Sequence, residues 1–207
     1  MVIDHPIFLE SLRYLRSNLG AMDLNYLEQK VLERLVHTSG DFSVQNLVNF
    51  SEGACEKGLQ ALKSGAPILT DTDMAAAAIK SMVENTTRNE IFTARMWFEK
   101  NNHTKLTKTA YGLSEGWNEL SAINSGSKSP IVVIGSSPTA LTYLIDILEN
   151  AKDLPSLIIS MPVGFIGVEK SKNKLISSDL PKIVLNSTRG GAAMAAAAVN
   201  ALLRETI

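Results

Sequence analysis

The sequence contains little of what several common classes of protein require. Cys55 is the single cysteine among 207 residues, so neither an internal disulfide nor a zinc site built from paired cysteines and histidines can form. Lys and Arg total 20 against 21 Asp and Glu, for a net charge of -1. This balance provides no basic surface for nucleic acid or an anionic membrane. We expect no structural metal and no nucleic-acid partner.

Long hydrophobic runs are also missing. The uncharged stretch 129–145 contains Pro130, Gly135 and Pro138 and is shorter than the roughly 20 apolar residues that a membrane-spanning helix needs. The first residues lack the basic flank and apolar core of a secretory signal. These features predict a cytoplasmic protein that does not associate with membranes.

The common nucleotide-binding motifs are absent. No G-x-G-x-x-G follows a predicted strand, and no G-x-x-x-x-G-K-[ST] loop occurs anywhere in the chain. Both motifs use glycines to bring backbone N–H groups close to phosphates. Nicotinamide cofactors and nucleotide hydrolysis therefore fit poorly, and we expect no cofactor.

Apolar residues make up 45% of the chain and charged residues 20%, which fits one compact domain over 1–207. From residue 6 to residue 36 the apolar side chains recur at helical spacing, with Gly20 as a stop between two segments. After this helical N-terminal subregion, short apolar runs alternate with helical patterns. That alternation is typical of a parallel sheet built from βα units.

Five strands and seven later helices are predicted from these patterns. The strands are short and rich in Ile, Val and Leu, as expected of strands buried on both faces. They are placed at 47–50, 67–70, 131–134, 157–161 and 183–185. Helices are placed at 52–63, 73–83, 89–100, 107–118, 139–150, 167–175 and 190–203.

Ligands of open α/β sheets bind beyond the carboxyl ends of the strands. The segments that follow the predicted strands are polar or glycine-rich, namely 51–53, 71–73, 135–138, 162–165 and 187–191. In the last of these, Arg189 precedes Gly190 and Gly191 just before a helix, an arrangement that suits a carboxylate or phosphate. A glycine pair needed only for a tight turn explains the same residues equally well.

For several other candidate groups, a role other than catalysis is the favoured interpretation. The turn 135–138 contains serines but lacks the G-x-S-x-G frame of a nucleophile, so it is interpreted as a binding turn. Asp71 and Asp73 could form a metal or acid–base pair, but capping of the helix that follows is the favoured interpretation. Cys55 lies in a predicted helix without a neighbouring histidine, which favours a buried structural thiol.

The three histidines differ in their surroundings. His5 precedes Pro6 near the N-terminus and His103 lies in a polar stretch, so both are expected at the surface. His37 ends an apolar helical run and opens a turn that contains hydroxyls, a glycine and Asp41. Its imidazole could donate a proton to a ligand near neutral pH, or it could serve as a cation at the helix C-terminus. The pattern alone leaves both roles open.

Motifs distributed over nearly the whole chain carry a family resemblance. They are His5-Pro6, 36–42, Phe50-Ser51 with Gly53-Ala54, 65–68, Thr70-Asp71 with Met74, Ile134-Gly135, 138–141, 162–165 with Gly167, Ser171-Lys172, 189–191 and 195–202. Taken in order, they resemble the precorrin-8X methylmutase family, also called precorrin isomerase, of cobalamin biosynthesis.

The resemblance implies a flavodoxin-like three-layer α/β/α sandwich. This fold is compatible with the five-stranded parallel sheet expected from the strand pattern. It also implies a homodimer and an isomerase that moves a methyl group between neighbouring carbons of pyrrole ring C. Such an enzyme converts precorrin-8X to hydrogenobyrinate, or the cobalt-bearing tetrapyrrole to cobyrinate. A non-catalytic tetrapyrrole carrier on the same fold is the alternative.

The resemblance further assigns site residues. It implies that His37 is the catalytic acid that protonates the macrocycle. Lys108 stands where relatives commonly have the arginine of a Thr-Arg-Ser-Ala motif. Its ammonium would replace a guanidinium that can bind a carboxylate through two parallel hydrogen bonds. The substrate-binding residues implied in this way are Ser11, Arg13, Thr38, Gly40, Asp41, Asp71, Lys108, Thr139, Arg189, Gly190 and Gly191.

Overall fold

The computed structural model describes residues 5–100 and 105–207; His103, predicted at the surface, lies outside the described residues. The helices are α1 (Pro6–Asn18), α2 (Tyr26–Ser39), α3 (Ala54–Lys63), α4 (Asp73–Asn85), α5 (Lys108–Ile123), α6 (Pro138–Leu148), α7 (Val168–Ile176) and α8 (Ala192–Arg204). The strands are β1 (Val48–Phe50), β2 (Ile68–Thr70), β3 (Ile91–Thr93), β4 (Ile131–Ile134), β5 (Leu157–Ser160) and β6 (Lys182–Leu185). Short 3₁₀ helices occupy Phe42–Asn46, Ala94–Lys100 and Gly126–Lys128.

The strands form one sheet in the order β1-β6-β5-β4-β2-β3. All five predicted strands are present, but the sheet has a sixth, β3, which pairs with β2 in parallel. The prediction of a helix over 89–100 was therefore wrong. A strand of three residues is too short to show an alternating pattern, and the 3₁₀ helix that follows it supplies helical spacing instead.

The sheet separates two apolar cores, because successive side chains of a strand point to opposite faces. In β4, Ile131 and Val133 belong to the core beneath α2, α3, α4 and α8, whereas Val132 and Ile134 belong to the core beneath α5, α6 and α7. The three-layer α/β/α architecture is thus confirmed. The predicted N-terminal helical subregion is present as α1 and α2, and α1 packs on α2 with Leu15 as its buried residue.

The direction of β1 differs from the parallel sheet that was predicted. β1 runs antiparallel to β6, with Val48 opposite Leu185 and Phe50 opposite Ile183. The chain therefore enters β1 at the edge where the other strands end. This brings the end of α2 and the 3₁₀ helix Phe42–Asn46 to the carboxyl edge of the sheet.

The same direction of β1 overturns the placement of segment 51–53 at that edge. The N–H of Ser51 donates to the carbonyl of Lys182 at 3.0 Å, and the N–H of Lys182 donates to the Ser51 hydroxyl at 2.9 Å. Ser51 thus lies where β6 begins, so 51–53 belongs to the opposite edge. No helix within 5–100 or 105–207 has the length and apolar character needed to cross a membrane.

Candidate active site

The C-terminus of α2 presents His37 at the carboxyl edge of the sheet. Asn25 and Glu28 start the helix as a capping box, and Gly40 ends it with φ of 63°, a left-handed conformation that favours glycine. Val36 is buried while His37 in the same turn is exposed. The apolar face of α2 therefore packs into the core, and the imidazole of His37 stays accessible to a ligand.

A cavity of about 450 Å³ lies between α1 and the end of α2. The α1 residues that line it share one helix face at i, i+3, i+4, i+7 and i+8 spacing, and Ser11 is among them. Arg13 falls outside this face. From the other wall come His37, Gly40 and Phe42. The α1 lining is Ile7, Glu10, Ser11, Tyr14 and Leu15.

The imidazole of His37 packs against an aromatic ring. Phe8 of α1 meets it edge to face, with 5.4 Å between ring centroids and 80° between the planes. The guanidinium groups of Arg34 and Arg204 lie 5.5 Å and 5.1 Å from the Phe8 ring centroid. Partial burial lowers the pKa of His37 below its usual value, and the charge of Arg34 lowers this pKa further. The free protein therefore holds His37 mainly neutral at pH 7.

Arg189 joins the loop after β6 to the turn that carries His37. Its guanidinium forms an ion pair with Asp41 and donates a hydrogen bond to the Ser43 hydroxyl at 2.8 Å. Hydrogen bonds from Ser43, followed by the one from Arg189, hold the pKa of Asp41 below its usual range. Asp41 directly follows Gly40, the cap of α2. Arg189 and His37 therefore lie at the same end of the crevice beyond the carboxyl ends of the strands.

The two glycines after Arg189 do serve a tight turn. A Cβ on Gly190, whose φ is 155°, would lie 2.1 Å from the carbonyl oxygen of Met161. The N–H of Gly191 donates to that same oxygen at 2.8 Å. Helix α8 begins at Ala192, immediately afterwards. The glycines therefore let the loop pass close to the end of β5, and the same loop carries Arg189 just before the start of α8.

Asp71 supports the loop after β4 from within. Its carboxylate accepts hydrogen bonds from the N–H groups of Gly135 (3.1 Å), Ser136 (2.7 Å) and Ser137 (2.9 Å). Burial raises the pKa of Asp71, and the three N–H donors oppose that rise. With its side chain 2% exposed and its oxygens occupied, Asp71 acts on the crevice through the backbone of this loop.

The predicted capping of α4 by aspartate was wrong. Thr72 is the N-cap, and its hydroxyl accepts from the N–H of Ala75 at 3.3 Å. Asp73 begins the helix and pairs with Arg95 at 2.9 Å. Among the described residues, no group of three or more His, Cys, Asp or Glu side chains is arranged to hold a metal ion.

Thr139 and Lys108 lie at the β4 side of the crevice. The Thr139 hydroxyl is 3.1 Å from that of Thr107, the N-cap of α5, and 3.0 Å from that of Ser137. Lys108 is the first residue of α5 and is exposed. Ser137 belongs to the loop that Asp71 holds, so Thr139 links that loop to the start of α5. The crevice therefore has His37 and Arg189 at one end and Thr139 at the other.

Sequence reasoning missed several residues at the site. Tyr14 lines the cavity, and its spacing of three residues from Ser11 was the available signal. Phe8 gave no such signal, because an aromatic residue in an amphipathic helix is normally a core residue. Ser43 follows Asp41 closely and could have been included with that turn. Cys55 is buried, and burial raises the pKa of its thiol, in keeping with the structural interpretation.

These observations define a class of protein. An open, mostly parallel α/β sheet carries at its carboxyl edge a crevice with an accessible imidazole, a guanidinium and the start of a helix. Such a crevice suits an anionic small molecule and proton transfer to it.

Comparisons with known proteins identify the family. A family model described as precorrin-8X methylmutase matches residues 6–205. The cobalt-precorrin-8 methylmutase of Synechocystis sp. is 31% identical over 97% of this chain and 95% of its own. The precorrin-8X methylmutase of Pseudomonas aeruginosa is 35% identical over 96% and 94%. The structure of precorrin-8x methyl mutase from Thermus thermophilus superposes with a TM-score of 0.84 at 28% identity, covering 97% of this chain and 95% of that one. The chain belongs to the precorrin-8X methylmutase family.

Proposed function

We propose that this chain isomerises precorrin-8X or cobalt-precorrin-8 by moving a methyl group between neighbouring carbons of pyrrole ring C, with His37 as the acid. Family membership makes the chain an isomerase of cobalamin biosynthesis and implies a tetrapyrrole substrate. The observation that supports the role of His37 is its place on the wall of a cavity, in the turn whose Asp41 pairs with Arg189.

The proton transfer follows from the position of the imidazole. The protonated ring donates its proton to the macrocycle, which draws electron density toward the protonated centre and eases migration of the methyl group to the adjacent carbon. The proton then returns to the imidazole, so that substrate and product have the same composition. The pKa of His37 is low in the free protein, and the carboxylates of a bound tetrapyrrole raise it because they stabilise the imidazolium.

The substrate's acetate and propionate arms require cations and hydrogen-bond donors. We assign Arg189 and the N–H of Gly190 to arms at one end of the crevice, and Lys108 with Thr139 to arms at the other. Gly191, whose N–H donates to the Met161 carbonyl, contributes by shaping the turn. Ser11, Thr38 and Gly40 would contact the macrocycle near His37. Asp41 orients the Arg189 guanidinium, and Asp71 positions the 135–137 backbone. Arg13 lies off the cavity-lining face, and its contact with an arm stays a prediction.

The organisation of the protein is part of the proposal. One sheet shared by both cores supports a single domain over 1–207. Phe165 and Ile166, 92% and 91% exposed in the loop after β5, provide an apolar surface suited to a homodimer. A lone, buried cysteine is consistent with a cytoplasmic location.

The test is conversion of both tetrapyrroles by the purified protein. Precorrin-8X and cobalt-precorrin-8 are each mixed with the protein, and absorption spectra are followed by mass measurement. The proposal predicts a spectral change at constant mass for at least one substrate, because the rearrangement alters conjugation without changing composition. Binding of a substrate without conversion would instead favour the tetrapyrrole carrier.

A further inference from the structure

A buried lysine lies directly behind the loop assigned to substrate carboxylates. Lys172 of α7 has a side chain that is 0% exposed. Its ammonium donates to the carbonyl oxygens of Ser187 at 2.5 Å and Arg189 at 2.9 Å. Both acceptors are main-chain carbonyls of one loop rather than carboxylates. A buried charge paired only with carbonyls is costly, and an apolar side chain would pack there at lower cost.

The backbone of the loop alternates in direction around this lysine. The carbonyls of Ser187 and Arg189 point to the Lys172 ammonium, while the intervening carbonyl of Thr188 accepts from the N–H of Gly164 at 3.0 Å. The loop contains no cis peptide bond, and in a trans peptide the N–H points away from the C=O. The N–H groups of Thr188 and Gly190 therefore point away from the buried lysine.

These two N–H groups are available to a ligand. Among the hydrogen bonds between described residues, none uses the N–H of Thr188 or Gly190 as a donor. An ammonium on the carbonyl side of a peptide polarises the whole unit and makes its N–H a stronger donor to an anion. The Arg189 guanidinium, held by Asp41 and Ser43, adds a second positive charge at the same loop.

We propose that Lys172 is a positioning residue for carboxylate recognition, which holds the 187–191 loop from behind so that the N–H groups of Thr188 and Gly190 bind an acetate or propionate arm. The inference rests on the proposed function, because that function supplies the polycarboxylate ligand. Lys172 acts through the backbone and does not touch the substrate.

The electrostatic surroundings of Lys172 give a readout specific to its charge. Burial lowers the pKa of Lys172 to about 8, and Glu169, three residues earlier on α7, partly opposes this effect. From the facing loop the charged side chain is Arg189, whose guanidinium is directed to Asp41. On α6, Asp146 and Glu149 bind Lys174 rather than Lys172. As pH rises through about 8, Lys172 loses its charge and the loop loses affinity for an anion.

The test is the affinity for hydrogenobyrinate, measured by absorption titration from pH 7 to about pH 9.5. For the wild-type protein, we expect the affinity to fall as pH rises through the pKa of Lys172. Lys172→Met should weaken binding about tenfold at pH 7, the size of one charge-assisted contact, and should flatten the pH profile. Lys172→Arg should bind well with a flat profile, because its charge persists. Lys174→Met, two residues along the same helix, is the matched control and should behave like wild type.

The outcomes separate this inference from the proposed function. Equal affinities and equal pH profiles for wild type, Lys172→Met and Lys172→Arg would overturn the inference that Lys172 is a positioning residue. Should Lys172→Met fail to fold, the comparison of wild type with Lys172→Arg decides: a sloping profile against a flat one supports the inference, and two matching profiles overturn it. Binding by wild type without conversion of either precorrin-8X or cobalt-precorrin-8 contradicts the proposed function alone, whereas failure to bind overturns both.

Discussion

The Phe8 ring on α1 meets the His37 imidazole at the end of α2 edge to face, 5.4 Å between centroids. This contact links the helix that lines one wall of the cavity to the candidate acid on the other. It also places the imidazole next to an apolar ring, so water is partly excluded from one side of it. The ionisation of His37 therefore depends on where α1 lies.

The first prediction concerns pH dependence. An acid must be protonated to act, so kcat/KM should fall as pH rises through the pKa of His37 in the free protein, which lies below the usual 6.5. The kcat profile should fall at higher pH, because bound carboxylates raise that pKa. Steady-state rates of precorrin-8X conversion across pH provide both profiles. Identical midpoints of the kcat/KM and kcat profiles would contradict the idea that the substrate's charge raises the pKa of His37.

A second prediction concerns Phe8. In Phe8→Ala, water reaches the His37 ring, and its pKa should rise toward the usual value because desolvation is the larger cause of the present depression. NMR titration of the imidazole measures this pKa. Phe92→Leu, in the core on the other face of the sheet, is the control and should leave the titration unchanged. An unchanged pKa in Phe8→Ala would show that the ring does not shield His37.

Substitution of Arg189 should weaken substrate binding. Arg189→Ala removes the guanidinium at the loop after β6, and a charged hydrogen bond is worth about 1.5–3 kcal/mol, or about 10- to 100-fold in Kd. Arg95→Ala, which breaks the exposed pair with Asp73, is the control and should bind normally. Absorption titration with hydrogenobyrinate gives both constants. Equal affinity in Arg189→Ala and wild type would place the carboxylate site elsewhere.

Substitution of the buried Asp71 should lower the free energy of unfolding more than substitution of the exposed Asp73. Asp71→Asn replaces a buried carboxylate that accepts three N–H bonds with an amide that offers one oxygen, at a cost of about 2–4 kcal/mol. Asp73→Asn breaks a surface ion pair and should cost less than about 1 kcal/mol. Denaturant unfolding measures both free energies. If the two variants were equally stable, the support role of Asp71 would be wrong.

Much of the fold was predictable because buried strands and amphipathic helices leave clear patterns. The runs around β4 and β5 are short, apolar and followed by turns that contain glycine and proline, and the structure has both strands there. The direction of β1 was not predictable, since three residues carry no information on their pairing partner. That direction nevertheless brings the turn after α2 to the carboxyl edge.

The site was predictable only where a local pattern marks it. His37 stands out because it ends an apolar helix and opens a polar turn. The contact between Arg189 and Asp41 joins residues 148 positions apart, which no local pattern reveals. Lys172 occurs in a polar stretch of α7 typical of a solvated helix face, and its burial depends on the loop that covers it.

The most direct test of the account compares wild type with His37→Gln in a single turnover of precorrin-8X, followed by absorption and mass. Glutamine keeps a polar side chain at the cavity wall but cannot donate a proton as an acid. The account predicts that His37→Gln binds the substrate with near wild-type affinity and converts it about 10²- to 10⁴-fold more slowly, the usual contribution of a general acid. Conversion at the wild-type rate would show that another group protonates the macrocycle and would contradict the assignment of His37.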